Sequence, residues 1–110
     1  MSSVELQELI DKIVRKLQVE YDPEKVILFG SFACGTAQSD SDLDLLIVKE
    51  TTERFIDRWA MVRRLLSDPS RTIPVETLVL TPKEILERLA RGDQFLAEIL
   101  HHGQVLYAAK

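Results

Sequence analysis

Two aspartates one residue apart, Asp42 and Asp44, stand at the beginning of an apolar run near the middle of the chain. Side chains alternate between the two faces of a strand, so both carboxylates are expected on one face, with Cα atoms roughly 6.6 Å apart. Such a pair can hold Mg²⁺, which takes its remaining ligands from water and substrate phosphates. A lone Asp-x-Asp pair is also common in turns, where it is only solvated.

A second pair of residues, Gly30 and Ser31, follows the apolar run from Val26 to Phe29. Glycine permits close approach of the backbone, and a helical turn with Ser31 as its N-cap would present free N–H groups to phosphate oxygens. The serine hydroxyl could add one hydrogen bond. The chain contains neither the GxxxxGK[ST] phosphate loop nor the GxGxxG dinucleotide motif. A phosphate bound at Gly30 and Ser31 is therefore expected to be held by the turn itself and not by either of these motifs.

Glu76 is the candidate for a third carboxylate. It lies in the run Ile73 to Leu80, which is expected to form a strand, and it shares a face with Leu78. A third carboxylate on a neighbouring strand would complete a site for two metal ions roughly 4 Å apart, one at the attacking oxygen and one at the leaving pyrophosphate. The alternative is that Glu76 is only a surface residue of a half-exposed strand.

Helix signals recur along the chain. Ser2 and Glu5 have the capping-box spacing and precede an apolar stripe, which predicts a helix over about residues 3–19. The residues predicted to begin the later helices are Thr51 or Thr52, Thr81 and Asp93. In the helix after Thr51, the stripe Phe55, Trp59 and Val62 is expected in the core, while Arg54, Arg58, Arg63 and Arg64 are expected on a solvated face open to an acidic partner.

These elements predict an α+β protein, with a small mixed β-sheet of three to four strands and helices packed mainly on one face. Asp42, Asp44 and Glu76 are expected to meet on the open face. A length of 110 residues predicts a single domain over residues 1–110, because the chain can form one core but hardly two.

Charge and composition exclude several classes. A net charge of −4 argues against binding along a nucleic-acid backbone, which depends on Lys and Arg contacts to phosphates, although a mononucleotide with Mg²⁺ is permitted.

No apolar run approaches the roughly 18 residues needed to span a bilayer, and no signal peptide is expected. The lone cysteine, Cys34, cannot form an internal disulfide. We expect a cytoplasmic protein with no membrane partner.

Gly30-Ser31, ten intervening residues and Asp42-Leu43-Asp44 match the G-S-x10-D-x-D signature. The chain thereby resembles the minimal nucleotidyltransferases of the DNA polymerase beta-like superfamily over nearly its whole length. The resemblance implies the nucleotidyltransferase fold and Mg²⁺-dependent transfer of a nucleoside monophosphate from ATP or another nucleoside triphosphate. It also implies that Asp42, Asp44 and Glu76 are the metal-binding and catalytic residues, and that Gly30 and Ser31 bind the nucleotide together with the two aspartates.

The resemblance further implies a partner protein. Small members of this family are commonly paired with a helical HEPN-domain toxin and place AMP on one of its tyrosines, and this chain resembles the antitoxin half because it lacks the R-x4–6-H signature of the toxin. It departs from the family pattern in two ways. Phe32 and Cys34 occupy loop positions where many members carry arginine, and Glu76 replaces the more usual aspartate.

Two alternatives to an antitoxin enzyme stay open. One is a binding module with weak or absent catalysis that neutralises its partner by contact. The other is transfer to a small molecule such as an aminoglycoside, with a partner chain or a second copy completing the pocket.

Overall fold

The computed structural model describes residues 2–110, and helices and strands alternate along most of this length. The elements in chain order are α1 (Ser3–Glu20), β1 (Lys25–Phe29), α2 (Ser31–Cys34), β2 (Leu43–Val48), α3 (Phe55–Leu65), β3 (Val75–Leu80), α4 (Pro82–Ala90), α5 (Gln94–His102) and β4 (Gln104–Ala108). None of the helices in this described part is long and apolar enough to cross a lipid bilayer.

The four strands form one mixed sheet in the order β3-β2-β1-β4. Strand β1 runs antiparallel to β2 and to β4, whereas β2 and β3 are parallel. The parallel pair is possible because α3 crosses over between β2 and β3 and brings the chain back to the same end of the sheet. The predicted α+β class and small mixed sheet are confirmed.

The two faces of the sheet carry different helices. One apolar cluster joins buried residues of α1 and α3 to alternate residues of β1 and β2, such as Leu28 and Leu45. A second cluster joins α5 to Ile27, Leu46 and Leu80, with part of α4 against it. Helices therefore cover both faces and not mainly one, as the sequence predicted, because α4 and α5 fold back over the second face. The open part of the second face is the end that carries Asp44 and Glu76.

The helix starts that depend on local chemistry are confirmed. The Ser2 side chain accepts a hydrogen bond from the Glu5 backbone at 3.2 Å, and the Glu5 carboxylate accepts one from the Ser2 backbone at 3.2 Å. Thr81 makes the same reciprocal pair with the residue three positions later. Asp93 accepts a hydrogen bond from Leu96 N at 2.9 Å. Each cap satisfies backbone donors that a helix leaves unpaired at its beginning.

The prediction for the start of α3 was wrong. The helix begins at Phe55, after Arg54, and neither Thr51 nor Thr52 caps it. Instead, the Thr51 hydroxyl accepts a hydrogen bond from Glu53 N at 3.1 Å, so this side chain stabilises a local turn before the helix.

The predicted orientation of α3 was also partly wrong. Arg58, expected on the solvated face, is only 3% exposed, whereas Phe55, expected in the core, is 41% exposed. Trp59 is half-buried rather than fully inside, and Val62 is buried as predicted. The helix is therefore rotated so that a charged side chain points inward, which is tolerated only with a partner for the charge.

Candidate active site

Gly30 forms the turn at the end of β1. Its φ of 77° and ψ of −157° lie in a backbone region that essentially only glycine occupies. Contrary to the prediction, Gly30 rather than Ser31 is the N-cap of α2, and its carbonyl accepts hydrogen bonds from the backbone of Ala33 and Cys34, both at 3.1 Å. The unusual Gly30 backbone turns the chain so sharply that Ser31 is already the first helical residue.

Gly30 lies directly against Asp44. Phe29 and Asp44 are register partners in the antiparallel β1–β2 pair, which places the aspartate beside Gly30, the residue directly after β1. A Cβ atom added to Gly30 would overlap Oδ2 of Asp44 and would lie 3.2 Å from its Cγ. The absence of a side chain at Gly30 is therefore what allows the carboxylate to approach the turn.

Glu76 lies on the other side of Asp44. The two are register partners in the parallel β2–β3 pair, so their side chains leave the same face of the sheet on strands about 4.8 Å apart. Asp42 is half-buried immediately before β2, and Glu76 is exposed. Gly30, Asp44 and Glu76 thus form a row across three adjacent strands, and Asp42 stands two residues before Asp44.

Negative charge in this row is not neutralised by the protein. Burial raises the pKa of Asp44, and the charges of Asp42 and Glu76 raise it further. None of the ion pairs within residues 2–110 includes these three carboxylates. The sequence also contains no Lys or Arg between Lys25 and Lys49. The site therefore favours a bound cation on electrostatic grounds.

The oxygen donors fit Mg²⁺, which proteins usually hold with one or two carboxylates while water and phosphates complete its shell. No group of three or more His, Cys, Asp and Glu side chains in the described part of the chain is placed to hold a metal ion by itself. Asp42 and Asp44 are the carboxylates that would hold such an ion together with a phosphate substrate.

The loop after Gly30 carries no positive charge. Phe32 packs against the apolar cluster of α1 and α3, and Cys34 is an exposed free thiol. Asp40 is exposed in the turn that follows. Phe32 thus takes part in packing, and the backbone N–H groups of Ala33 and Cys34 already donate to the Gly30 carbonyl.

A cleft between α3 and β3, which Glu76 also lines, was not predicted from the sequence. It has a volume of about 370 Å³, and both Trp59 and Arg63 line it. The Arg63 guanidinium carbon lies 5.1 Å from the centroid of the Trp59 ring. Their spacing of four residues on one helix was a usable signal, because residues at i and i+4 are neighbours on a helix surface.

Several known proteins are similar to this chain. A Methanocaldococcus jannaschii protein named "Putative protein adenylyltransferase MJ1305" is 36% identical over 64 residues, which are 56% of this chain and 44% of that protein. The match thus spans less than half of the relative's length.

Two solved structures share the fold at 22% identity each. One is a "putative nucleotidyltransferase" from Sulfolobus solfataricus, with a TM-score of 0.66 over 96% of this chain and 82% of the other. The second is described as a toxin-antitoxin with AMP-PNP, with a TM-score of 0.63 over 92% of this chain and 74% of the other.

The family model described as "Polymerase beta, Nucleotidyltransferase" matches residues 11–110. This match includes the turn at Gly30, the aspartates of β2 and Glu76 of β3. The chain therefore belongs to the polymerase beta nucleotidyltransferase family.

Proposed function

We propose that this protein transfers a nucleoside monophosphate, AMP from ATP, to a hydroxyl group of another protein and releases pyrophosphate. The observation that carries the proposal is the row of Gly30, Asp44 and Glu76. In this row the Asp44 carboxylate lies against the Gly30 turn, and within residues 2–110 no ion pair neutralises Asp44 or Glu76. Membership of the polymerase beta nucleotidyltransferase family supports the same reaction class.

The residues of the row and its two neighbours, Ser31 and Asp42, have distinct roles in this reaction. Backbone N–H groups after Gly30 and the Ser31 hydroxyl bind the phosphates, and Asp42 and Asp44 hold Mg²⁺. Bound Mg²⁺ supplies charge neutralisation for the phosphate oxygens. Glu76 accepts the proton of the acceptor hydroxyl while the oxygen of that hydroxyl forms a bond to the α-phosphorus. The bond from that phosphorus to the β-phosphate oxygen breaks, and pyrophosphate leaves.

The acceptor in this proposal is a tyrosine of a helical HEPN-type toxin, which binds this chain as a hetero-oligomer in the cytoplasm and is neutralised by the modification. Two likenesses support it: one relative is named a protein adenylyltransferase, and one structural neighbour is described as a toxin-antitoxin with AMP-PNP. Residues 1–110 act as one catalytic domain, and the partner brings the acceptor.

The direct test is to incubate the protein with its HEPN-type partner and Mg-ATP and to measure the partner's mass. We expect the mass to rise by one or more AMP groups and Asp44→Asn to abolish the rise. Glu76→Gln should lower the rate by about 10²- to 10⁴-fold, the range for a general base. Asp40→Asn, a change in the exposed loop, is the matched control and should leave the rate unchanged. No mass gain with any common ribonucleoside triphosphate contradicts the proposal.

A second candidate function is neutralisation by binding alone. It is favoured by the exposure of Glu76 and by the finding that residues 2–110 hold no group of three side chains placed for a metal ion. In that case the double variant Asp42→Asn/Asp44→Asn still neutralises the partner in cells. Loss of neutralisation in a double variant that still binds the partner favours the enzyme.

A further inference from the structure

The cleft beside Glu76 lies at one end of the catalytic row. Across the sheet the order is Gly30 at the end of β1, Asp44 on β2 and Glu76 on β3, which is an edge strand. The cleft lies along this edge, between β3 and α3, and α3 packs on the face of the sheet opposite to the Asp44 and Glu76 side chains. The residues that line it come from α3, β3 and the segment between them: Trp59, Arg63, Leu66, Ser67, Asp68, Pro69, Arg71, Pro74, Val75, Glu76 and Thr77.

This order assigns opposite ends of the row to the two substrates. In an in-line displacement at phosphorus, the attacking oxygen and the leaving group lie on opposite sides of the phosphorus atom. If the phosphates rest on the Gly30 turn, the acceptor hydroxyl arrives from the side of Glu76, the residue that the row shares with the cleft. Its volume of about 370 Å³ is near the lower end for ligand sites and suits a short peptide segment.

The charge in the cleft identifies the kind of segment. Within residues 2–110, no carboxylate lies within ion-pair distance of Arg63 or Arg71. Arg71 donates hydrogen bonds to the carbonyls of Ile73, at 2.8 Å, and Leu66, which fixes its position but leaves its charge uncompensated. Two carboxylates also line the cleft. Asp68 accepts a hydrogen bond from the Ser70 hydroxyl at 2.7 Å and pairs with Lys12 at 3.5 Å, and Glu76 is the proposed base for the acceptor hydroxyl.

We propose that this cleft binds the acceptor segment of the partner protein, and that the segment carries a Glu or Asp close to the acceptor hydroxyl. Arg63 determines this specificity by pairing with the acidic side chain, and Trp59 positions Arg63 by stacking under its guanidinium. The inference rests on the proposed function, because it assigns the cleft to the acceptor of that reaction.

Binding can be tested without catalysis, because Trp59 is the only tryptophan of the chain and lines the cleft. The probes are two peptides with a central tyrosine, one flanked by glutamates and the other by lysines. Tryptophan emission, excited where tyrosine does not absorb, should change saturably with the glutamate peptide and not with the lysine peptide. Arg63→Gln should weaken glutamate-peptide binding by about tenfold, as for loss of a charge-assisted hydrogen bond.

Arg64→Gln is the matched control, because Arg64 is the exposed next residue of α3 and does not line the cleft. This variant should bind the glutamate peptide like the unmodified protein. Equal binding of both peptides, unchanged binding in Arg63→Gln, or no saturable emission change with either peptide overturns the proposal.

Nucleotide transfer to the same peptides separates this inference from the proposed function. Asp44→Asn should bind the glutamate peptide normally and transfer nothing. If the unmodified protein binds that peptide selectively yet modifies neither peptide nor partner, the cleft assignment stands and the proposed function fails. If it modifies the partner while showing no preference for the glutamate peptide, the function stands and the cleft assignment fails.

Discussion

Arg58 of α3 and Glu84 of α4 form a two-point ion pair, with Nη1 2.6 Å from Oε1 and Nη2 2.9 Å from Oε2. The arginine side chain is only 4% exposed, and Nη1 also donates to the Val79 carbonyl at 3.0 Å. Oε1 of Glu84 additionally accepts a hydrogen bond from Thr81 N at 2.8 Å. The Glu84 carboxylate thus takes part in the N-terminal cap of α4 and also neutralises the buried charge of Arg58 in α3.

Glu84→Gln should lower the free energy of unfolding by about 2 kcal/mol, because a buried guanidinium loses its counter-charge; the one-third exposure of Glu84 keeps the loss below that of a fully buried pair. Urea denaturation measures this value. Glu87→Gln, which removes exposed ion pairs of 3.9 Å in the same helix, is the control and should cost under about 0.5 kcal/mol. Equal losses in the two variants contradict the role of the pair.

Stability should also fall in acid through Glu84. The hydrogen bond from Arg58 lowers the pKa of Glu84 from 4.5 to about 2. A carboxyl with a lowered pKa stabilises the fold above its ordinary pKa, and this contribution disappears as the pH falls from about 4.5 to about 2. Denaturation curves across this range should show a smaller pH dependence for Glu84→Gln than for the unmodified protein. Parallel pH profiles would show that other groups, such as Asp68, account for the dependence.

Gly30→Ala should reduce both stability and nucleotide transfer. The new Cβ overlaps the Asp44 carboxylate, and the Gly30 backbone conformation is unsuited to alanine, so a loss of about 2 kcal/mol is expected. Gly35→Ala is the comparison, because Gly35 also has a positive φ but has open space where a Cβ would lie. It should cost about 1 kcal/mol and retain transfer. A Gly30→Ala protein with normal transfer contradicts the contact between the turn and Asp44.

Asp44→Asn should make the protein more stable while it abolishes transfer. A carboxyl whose pKa is raised in the folded state destabilises the fold at pH values above that pKa, so removal of its charge is favourable. Because Asp44 is only half-buried, we expect a gain of about 0.5 kcal/mol at neutral pH without Mg²⁺. Thermal denaturation with and without Mg²⁺ measures it. If Asp44→Asn is less stable than the unmodified protein in the absence of Mg²⁺, the carboxylates of the site do not destabilise the fold by mutual repulsion.

Features specified by neighbouring residues were predictable from the sequence. The capping partners of Ser2 and Thr81 lie three residues away, and the alternation of residues around Asp44 gave its strand and face. The position of Glu76 beside Asp44 was also anticipated, although the parallel register between their strands depends on the crossover through α3.

Features that depend on distant residues were not predictable. Arg58 is buried because of Glu84, which lies 26 residues later, and nothing in the helix around Arg58 distinguishes it from the solvated Arg54. The cleft was missed for the same reason, since the segment between α3 and β3 forms its wall only in the folded chain. The Thr51 turn is a different case, because its partner Glu53 lies only two residues away; here one local hydrogen bond competed with another, the helix cap.

Glu84 also supports the cleft indirectly, through its ion pair with α3. Trp59 and Arg63 belong to the same helix as Arg58, and that helix is fastened to α4 by the Glu84 carboxylate. Loss of the Arg58–Glu84 ion pair would let α3 shift relative to β3, and this shift would change the shape of the cleft between them. If the cleft binds the acceptor as proposed, a substitution at Glu84 raises the KM for the acceptor although Glu84 itself does not line the cleft.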